Sequence, residues 1–319
     1  GGDAVPIQAT VTIKGDRLTV DFEGSGRQAR GGYNMPASAM NASVYYVVKT
    51  MLDPDLIAND GMFRAIEIKT PPGTITNPDF PAAVGMRSAT AQPVCGAIIG
   101  AFSALLPEER LLAASNDAMP AIVVSGKSRR RAGAYVYVET IGGGAGARYN
   151  EDGVDGTHVH ITNSSNLPAE ALENEYPLLV EEYSLVPDSG GPGKYRGGMG
   201  IARQIRALDD ETFVYASTER TKIAAEGVLG GGDGGLGHII RNRGQASERE
   251  MPSNQPGQPI RAGESMRLET PGAGGFGPPE QRSAEAIARD LVGGKVSAAA
   301  VERDYGAAKL AEAQKLLAS

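Results

Sequence analysis

The chain has no tryptophan, one cysteine, six phenylalanines and three histidines in 319 residues. A single cysteine excludes an internal disulfide and a thiolate metal cluster. Cys95 lies in the apolar run Val94-Cys95-Gly96-Ala97-Ile98-Ile99, the setting of a buried, inert thiol. No apolar stretch reaches the roughly 20 residues that a bilayer-spanning helix needs. No secretory leader is visible, so the chain reads as cytoplasmic. Positive charge is also short: 31 Lys and Arg against 38 Asp and Glu give a net charge of −7. That balance argues against a nucleic-acid or anionic-membrane partner. The one basic run, Lys127-Ser128-Arg129-Arg130-Arg131, lies between Gly126 and Gly133 and reads as a solvated turn. An initiating methionine is absent too. The chain opens Gly1-Gly2-Asp3 and runs almost at once into a strand, as an internal piece of something longer or a processed subunit would.

Glycine is the excess, with 43 residues, about twice the usual share of roughly 7%. Without a repeat, that means many turns and close backbone approaches. Ile7–Ile13 and Leu18–Phe22 alternate as strands around a Lys14-Gly15-Asp16-Arg17 hairpin turn. Met40, Val44, Val47, Val48 and Met51 form one apolar stripe, predicting a helix over 37–51 that Asp53-Pro54 ends. A strand is expected at 65–69 and a core helix at 94–106. Further strands are expected at 121–125, 135–141, 157–162, 178–185, 201–208, 212–217, 238–241 and 265–270, with a short helix at 167–175 behind Pro168. From Glu280 the composition turns to Ala, Glu, Lys and Leu, predicting helices at 283–291 and 297–317. The fold class is α+β: strand-rich mixed sheets, glycine loops, two core helices and a helical tail. The expected division is a body over 1–278 and a tail over 279–319.

The stretch from Gly142 to Gly200 is the densest in candidate chemistry. Gly142-Gly143-Gly144-Ala145-Gly146-Ala147 follows a strand and formally matches a dinucleotide fingerprint. The context fails: a helix must follow, and Arg148-Tyr149-Asn150-Glu151-Asp152-Gly153 is turn chemistry. Gly193-Lys194 and Gly227–Gly235 lack the Lys-Ser/Thr step of a phosphate loop. No Gly-x-Ser-x-Gly elbow exists, and Ser189 has no adjacent base. His158 and His160 are two residues apart, so on a strand they share a face. Asp152 and Asp155 precede them and Asn163 follows. Two imidazoles and a carboxylate could hold a metal, transfer a proton or contact substrate. They could equally be structural, one hydrogen-bonded inside and one facing solvent.

The order of motifs resembles the hydantoinase B/oxoprolinase family. The match begins with Asp21-Phe22-x-Gly24-Ser25, Gly32-x-Asn34-x-Pro36-Ala37, Asn59-Asp60-Gly61 and Pro71-Pro72-Gly73-Thr74. Its centre is Glu139-Thr140-Ile141-Gly142-Gly143-Gly144 leading into Asp152-Gly153-Val154-Asp155-Gly156-x-His158-x-His160-x-Thr162-Asn163. It continues through Asp188-Ser189-Gly190-Gly191-x-Gly193-x-Tyr195-Arg196-Gly197-Gly198-x-Gly200, Glu219-Arg220 and Thr270-Pro271-Gly272-x-Gly274-Gly275-x-Gly277.

The resemblance implies the C-terminal part of a hydantoinase B-type subunit. The family's metal-binding His/Asp motifs would fall N-terminal to this sequence, on an adjoining chain, with no metal ligand expected here. It implies a hydantoinase A-type partner that binds ATP and Mg. The joint activity would be ATP-dependent hydrolysis of cyclic amides such as hydantoins, 5-oxoproline or lactams. Alternatives are a subunit of an ATP-dependent acetone- or acetophenone-type carboxylase, or a non-catalytic scaffold. The expected site residues are His158, His160 and Asp155 for catalysis, His158 foremost in proton transfer, with Asn163, Asn34 and Arg196 for substrate contact.

Overall fold

A two-residue turn, Gly15-Asp16, starts the fold by joining β1 (Thr10–Lys14) to β2 (Arg17–Asp21) as an antiparallel hairpin. Gly15 takes φ +61 there, a conformation that favours glycine. The structure is a computed structural model and describes residues 4–127, 133–253 and 256–318. Gly1–Asp3 and the arginines of the basic run lie outside the described residues. The chain forms two compact units, one of Gly1–Leu111 with His160–Thr162, the other of Leu112–Val159 with Asn163–Ser319.

In the first unit, β2 also pairs in parallel with β3 (Ile66–Lys69), giving the sheet order β1-β2-β3. Helix α1 (Ala37–Leu52) buries Met40, Val44, Val47, Val48 and Met51, the stripe read from sequence. Asn59 caps the short helix α2 (Asp60–Arg64) by accepting from the Met62 N–H at 3.3 Å. Helix α3 spans Arg87–Phe102, not the expected 94–106. Proline ordinarily disfavours helix on its N-terminal side, yet Pro93 sits inside α3. Buried Thr90 is anchored on the Tyr33 carbonyl at 2.5 Å, and Ala89, Val94, Cys95 and Ile98 are buried beside it.

The second unit is a sandwich of two antiparallel sheets. Its strands are β4 (Ala121–Lys127), β5 (Ala134–Thr140), β6 (Leu178–Leu185), β7 (Ile201–Ala207), β8 (Thr212–Ser217), β9 (His238–Arg241), β10 (Arg249–Glu250), β11 (Gln258–Ile260) and β12 (Ser265–Glu269). The sheet orders are β10-β9-β12-β7-β6 and β11-β8-β4-β5. Alternate residues of both sheets, among them Ile122, Val124, Val214, Ile205, Met266 and Leu268, share one apolar core. Helix α4 (Ala169–Glu175) adds Leu172 to it.

The tail forms three helices where sequence suggested two: α5 (Ala284–Val292), α6 (Ala298–Tyr305) and α7 (Ala307–Leu317). Gly306, at φ +91, makes the break between the last two. Ser283 and Ser297 cap α5 and α6 by accepting from Ala286 N–H and Ala300 N–H. Ile287, Val296, Val301, Tyr305 and Ala313 form the tail's own core, so it packs as part of the second unit. The mixed α+β class is what the composition and periodicity indicated. Among the described residues no helix is long and apolar enough to cross a membrane.

Candidate functional site

A stack of glycine-rich backbone segments lies beyond the end of β5. Gly143 and Thr157 exchange two hydrogen bonds, at 2.9 and 2.7 Å. Gly144 N–H donates to the Pro271 carbonyl, Ala145 N–H to Val154, Gly153 N–H to Arg196 and Gly156 N–H to Met199. Segments 142–147, 153–157, 196–200 and 271–275 therefore bond to one another directly, with almost no side chains between them. The need for glycine is steric. A Cβ on Gly144 would lie 2.0 Å from the Gly198 carbonyl oxygen, and one on Gly197 would lie 1.9 Å from that of Ala273. These amides are taken by carbonyls, so they do not form the open cradle that phosphate binding requires.

Charged side chains close over the platform from the helical tail. Asp155 Oδ1 accepts from Arg196 Nη1 at 3.0 Å and from Met199 N–H at 2.9 Å; Oδ2 accepts from Lys295 Nζ at 2.6 Å. Asp152 accepts two bonds from Arg282, at 2.7 and 2.8 Å, and one from Arg196 N–H at 2.7 Å. Asp290 of α5 accepts from Arg282 Nη2 at 2.6 Å and Arg196 Nε at 3.4 Å. Three carboxylates thus meet three cations. Burial alone would raise the Asp152 pKa, but the Arg282 hydrogen bonds and charge outweigh it and hold the group below its ordinary value. Asp155 is likewise held low, with Lys295 and Arg196 overcoming burial.

The expected site residues separate in this geometry. Asp155 and Arg196 come together, both engaged in the network. His158 follows on the same turn, half-buried, and desolvation lowers its pKa, which keeps the imidazole neutral. His160 does not continue a strand. The expected strand over 157–162 is reduced to the single Gly143–Thr157 bridge, and His160 takes φ +54. The two-residue alternation that would have set both imidazoles on one face is therefore broken. His160 belongs to the first unit, where its ring meets Tyr46 edge-on at 6.1 Å. Asn163 is exposed. Asn34 is fully buried and holds its own loop, donating to the carbonyls of Ala29 and Ala83 while accepting from Ala29 N–H. The third histidine, His238, pairs with Glu250 at 2.8 Å.

Sequence reasoning missed Arg282, Asp290 and Lys295. Only Asp290, a carboxylate beside Ile287, Ala288 and Leu291, carried a signal. It also missed Glu139, whose inward phase with Tyr135 and Tyr137 on β5 marks a buried acid. Among the described residues no three His, Cys, Asp or Glu side chains converge as a metal site. The residues present therefore do not by themselves fit the divalent metal that the resemblance implied.

Comparison with known proteins agrees with this architecture. The sequence is 37% identical to an uncharacterized protein of Methanocaldococcus jannaschii, over 94% of this chain and 52% of that protein. It is 30% identical to a Pseudomonas protein described as the B-type subunit of a D-/L-hydantoinase, over 94% of this chain and 51% of the relative. The chain thus spans about half the length of these relatives. The fold superimposes on the ATP-dependent caprolactamase of Pseudomonas jessenii with a TM-score of 0.83 at 24% identity, covering 96% of this chain and 56% of that one. The family model for hydantoinase B/oxoprolinase matches residues 1–279, and the chain belongs to that family.

Proposed function

We propose that this chain acts as a hydantoinase B-type part of an ATP-dependent cyclic-amide hydrolase, beside a hydantoinase A-type part that binds ATP and Mg. The observation that carries the reading is the family match over residues 1–279, which includes the whole glycine platform. An unstrained amide carbonyl is a poor electrophile, and phosphorylating its oxygen makes a good leaving group. Bonded amides across the platform suit a chain that leaves phosphate binding to its partner.

In this reading the chain supplies one wall of the site. His158 is the proton-transfer group: desolvation keeps it neutral near pH 7, so it can accept a proton from the attacking water and return it to the ring nitrogen as the C–N bond breaks. Asp155 and Arg196 fix the turn that carries it, and Lys295 ties that turn to the tail. A divalent metal, if the assembly uses one, takes its ligands from an adjoining chain, and no step assigned here runs through it.

The test is reconstitution with an A-type partner and the N-terminal part of the B-type domain, supplying ATP and 5-oxoproline, a hydantoin or a lactam. The expected result is ring opening matched by ADP release without bicarbonate. Turnover that requires bicarbonate and a ketone would replace this reading with carboxylation.

A further inference from the structure

Both sheets of the sandwich end in edge strands, whose outer N–H and C=O groups are open to a further strand. β11 is three residues long and holds Pro259, and β10 is two, Arg249 and Glu250. β6 breaks its ladder at Val180/Glu182 and carries Glu181 and Glu182 there. Proline, shortness, irregularity and exposed charge each discourage pairing. The remaining edge, β5, has none of these. Its seven residues pair with β4 without a break. Ile141 N–H donates to the Pro120 carbonyl, so the alternation turns the backbone groups of Tyr135, Tyr137 and Glu139 toward β4. Those of Ala134, Val136, Val138 and Thr140 are left on the free side, where none bonds to a described residue. The side chains agree with this. Tyr137 and Glu139 are buried, the Glu139 charge met by Arg203 Nε at 3.1 Å. Val136 and Val138 face solvent at 62% and 61% exposure, and Phe213 on β8 continues the same uncharged face at 49%.

Charge decides what suits this edge. A strand with charged side chains finds none to meet along β5 and loses hydration there, whereas a second β5 is uncharged at the same outward positions. The basic run 127–131 directly precedes β5 in sequence. An antiparallel second copy sets the two runs at opposite ends of the ladder, roughly 24 Å apart at about 3.4 Å per residue. That is past the Debye length of about 8 Å, while a parallel copy would bring the runs together. We propose that β5 is a self-association edge, on which a second copy of this chain pairs antiparallel about Tyr137. In that register Val136 opposes the partner's Val138, and Ala134 the partner's Thr140, so every open N–H and C=O on the free side gains a bond. A ladder this short is well under the about 1,200–2,000 Å² of a stable interface, so the dimer is reversible and forms at high concentration.

Sedimentation equilibrium of the full chain over rising concentration tests this. The weight-average mass should climb toward twice that of one chain. Val136→Lys/Val138→Lys changes only exposed side chains and sets like charges directly opposite each other, so that variant should stay monomeric. A wild type that is monomeric throughout, or a variant that associates equally, overturns the proposal. Oxidative crosslinking reads the register without destabilising the pair. Val136→Cys mixed with Val138→Cys brings cysteines opposite at a Cα separation of about 5.5 Å, within disulfide reach, and should crosslink several-fold more than either alone. Equal yields in mixed and single samples contradict the register. A wild type that is monomeric alone, but whose binding to an A-type partner is lost in the lysine variant, would assign β5 to a foreign strand and also overturn the second-copy reading.

Discussion

Replacing Arg282 by methionine should unlock the tail from the platform. Arg282 is 2% exposed in its side chain and gives Asp152 a bidentate grip and Asp290 a further bond. The substitution keeps the volume but leaves Asp290, 8% exposed, with the longer 3.4 Å contact to Arg196. Removing one partner of a buried pair costs about 3–5 kcal/mol. Against a typical total of about 5–15 kcal/mol, that is a large fraction. At about 2–4 °C per kcal/mol it corresponds to a fall in Tm of roughly 6–20 °C. Arg64→Met is the control, since its partner Asp60 and Arg64 itself are 81% and 76% exposed, and such pairs contribute only about 0–1 kcal/mol. Thermal melts and urea denaturation, followed by far-UV circular dichroism and tyrosine fluorescence, which no tryptophan obscures, read both variants. The same network sets an acid limit. Asp152 and Asp155 are held below their ordinary values, so their contribution is complete above about pH 4 and is lost as the pH falls through the folded-state values. Arg282→Met should therefore also flatten part of the acid-side decline. If Arg282→Met matches wild type as closely as the Arg64 control does, the network holds nothing and the reasoning fails.

Glycine substitutions should split by place. Gly144→Ala drives a methyl into the Gly198 carbonyl and should cost about 3 kcal/mol or more, whereas Gly100→Ala in α3 meets open space and should stabilise by about 0.4–1 kcal/mol; urea midpoints decide, and similar effects would refute the steric account. The Glu219 carboxyl is enclosed although the residue as a whole is only half-buried, and desolvation raises its pKa despite the Met119 N–H bond at 2.8 Å. A raised folded value means its contribution is complete below the unfolded pKa and lost as the pH rises, so Glu219→Gln should stabilise the protein at pH 7 and not at pH 4. Equal destabilisation at both would contradict this. Ser283→Ala removes the cap of α5 and should cost about 1 kcal/mol, measured by the same melts; no loss would show that the tail's core alone holds the helix.

Periodic segments were legible because one force dominates each of them. The α1 stripe, the hairpin and most sandwich strands follow from apolar spacing and turn residues alone. The start of α3 was not, because propensity at Pro93 yields to packing when neighbouring side chains such as Thr90 are anchored. The platform was visible as glycine but not as geometry, since spacing cannot say which carbonyl a glycine approaches. The 157–162 alternation imitated a strand, and only backbone conformation shows His160 turning away. The tail cations were illegible for another reason: Arg282 lies 130 residues from Asp152 and Lys295 lies 140 from Asp155, in a segment whose composition reads as plain helix.

The central claim is that the platform presents His158 as the proton-transfer group of an ATP-coupled ring opening. The direct measurement is ATP-coupled turnover of the reconstituted complex carrying His158→Ala, with assembly checked by sedimentation. Loss of a positioned general base predicts a fall of about 100-fold or more with assembly intact. Turnover equal to wild type in the assembled complex would contradict the account.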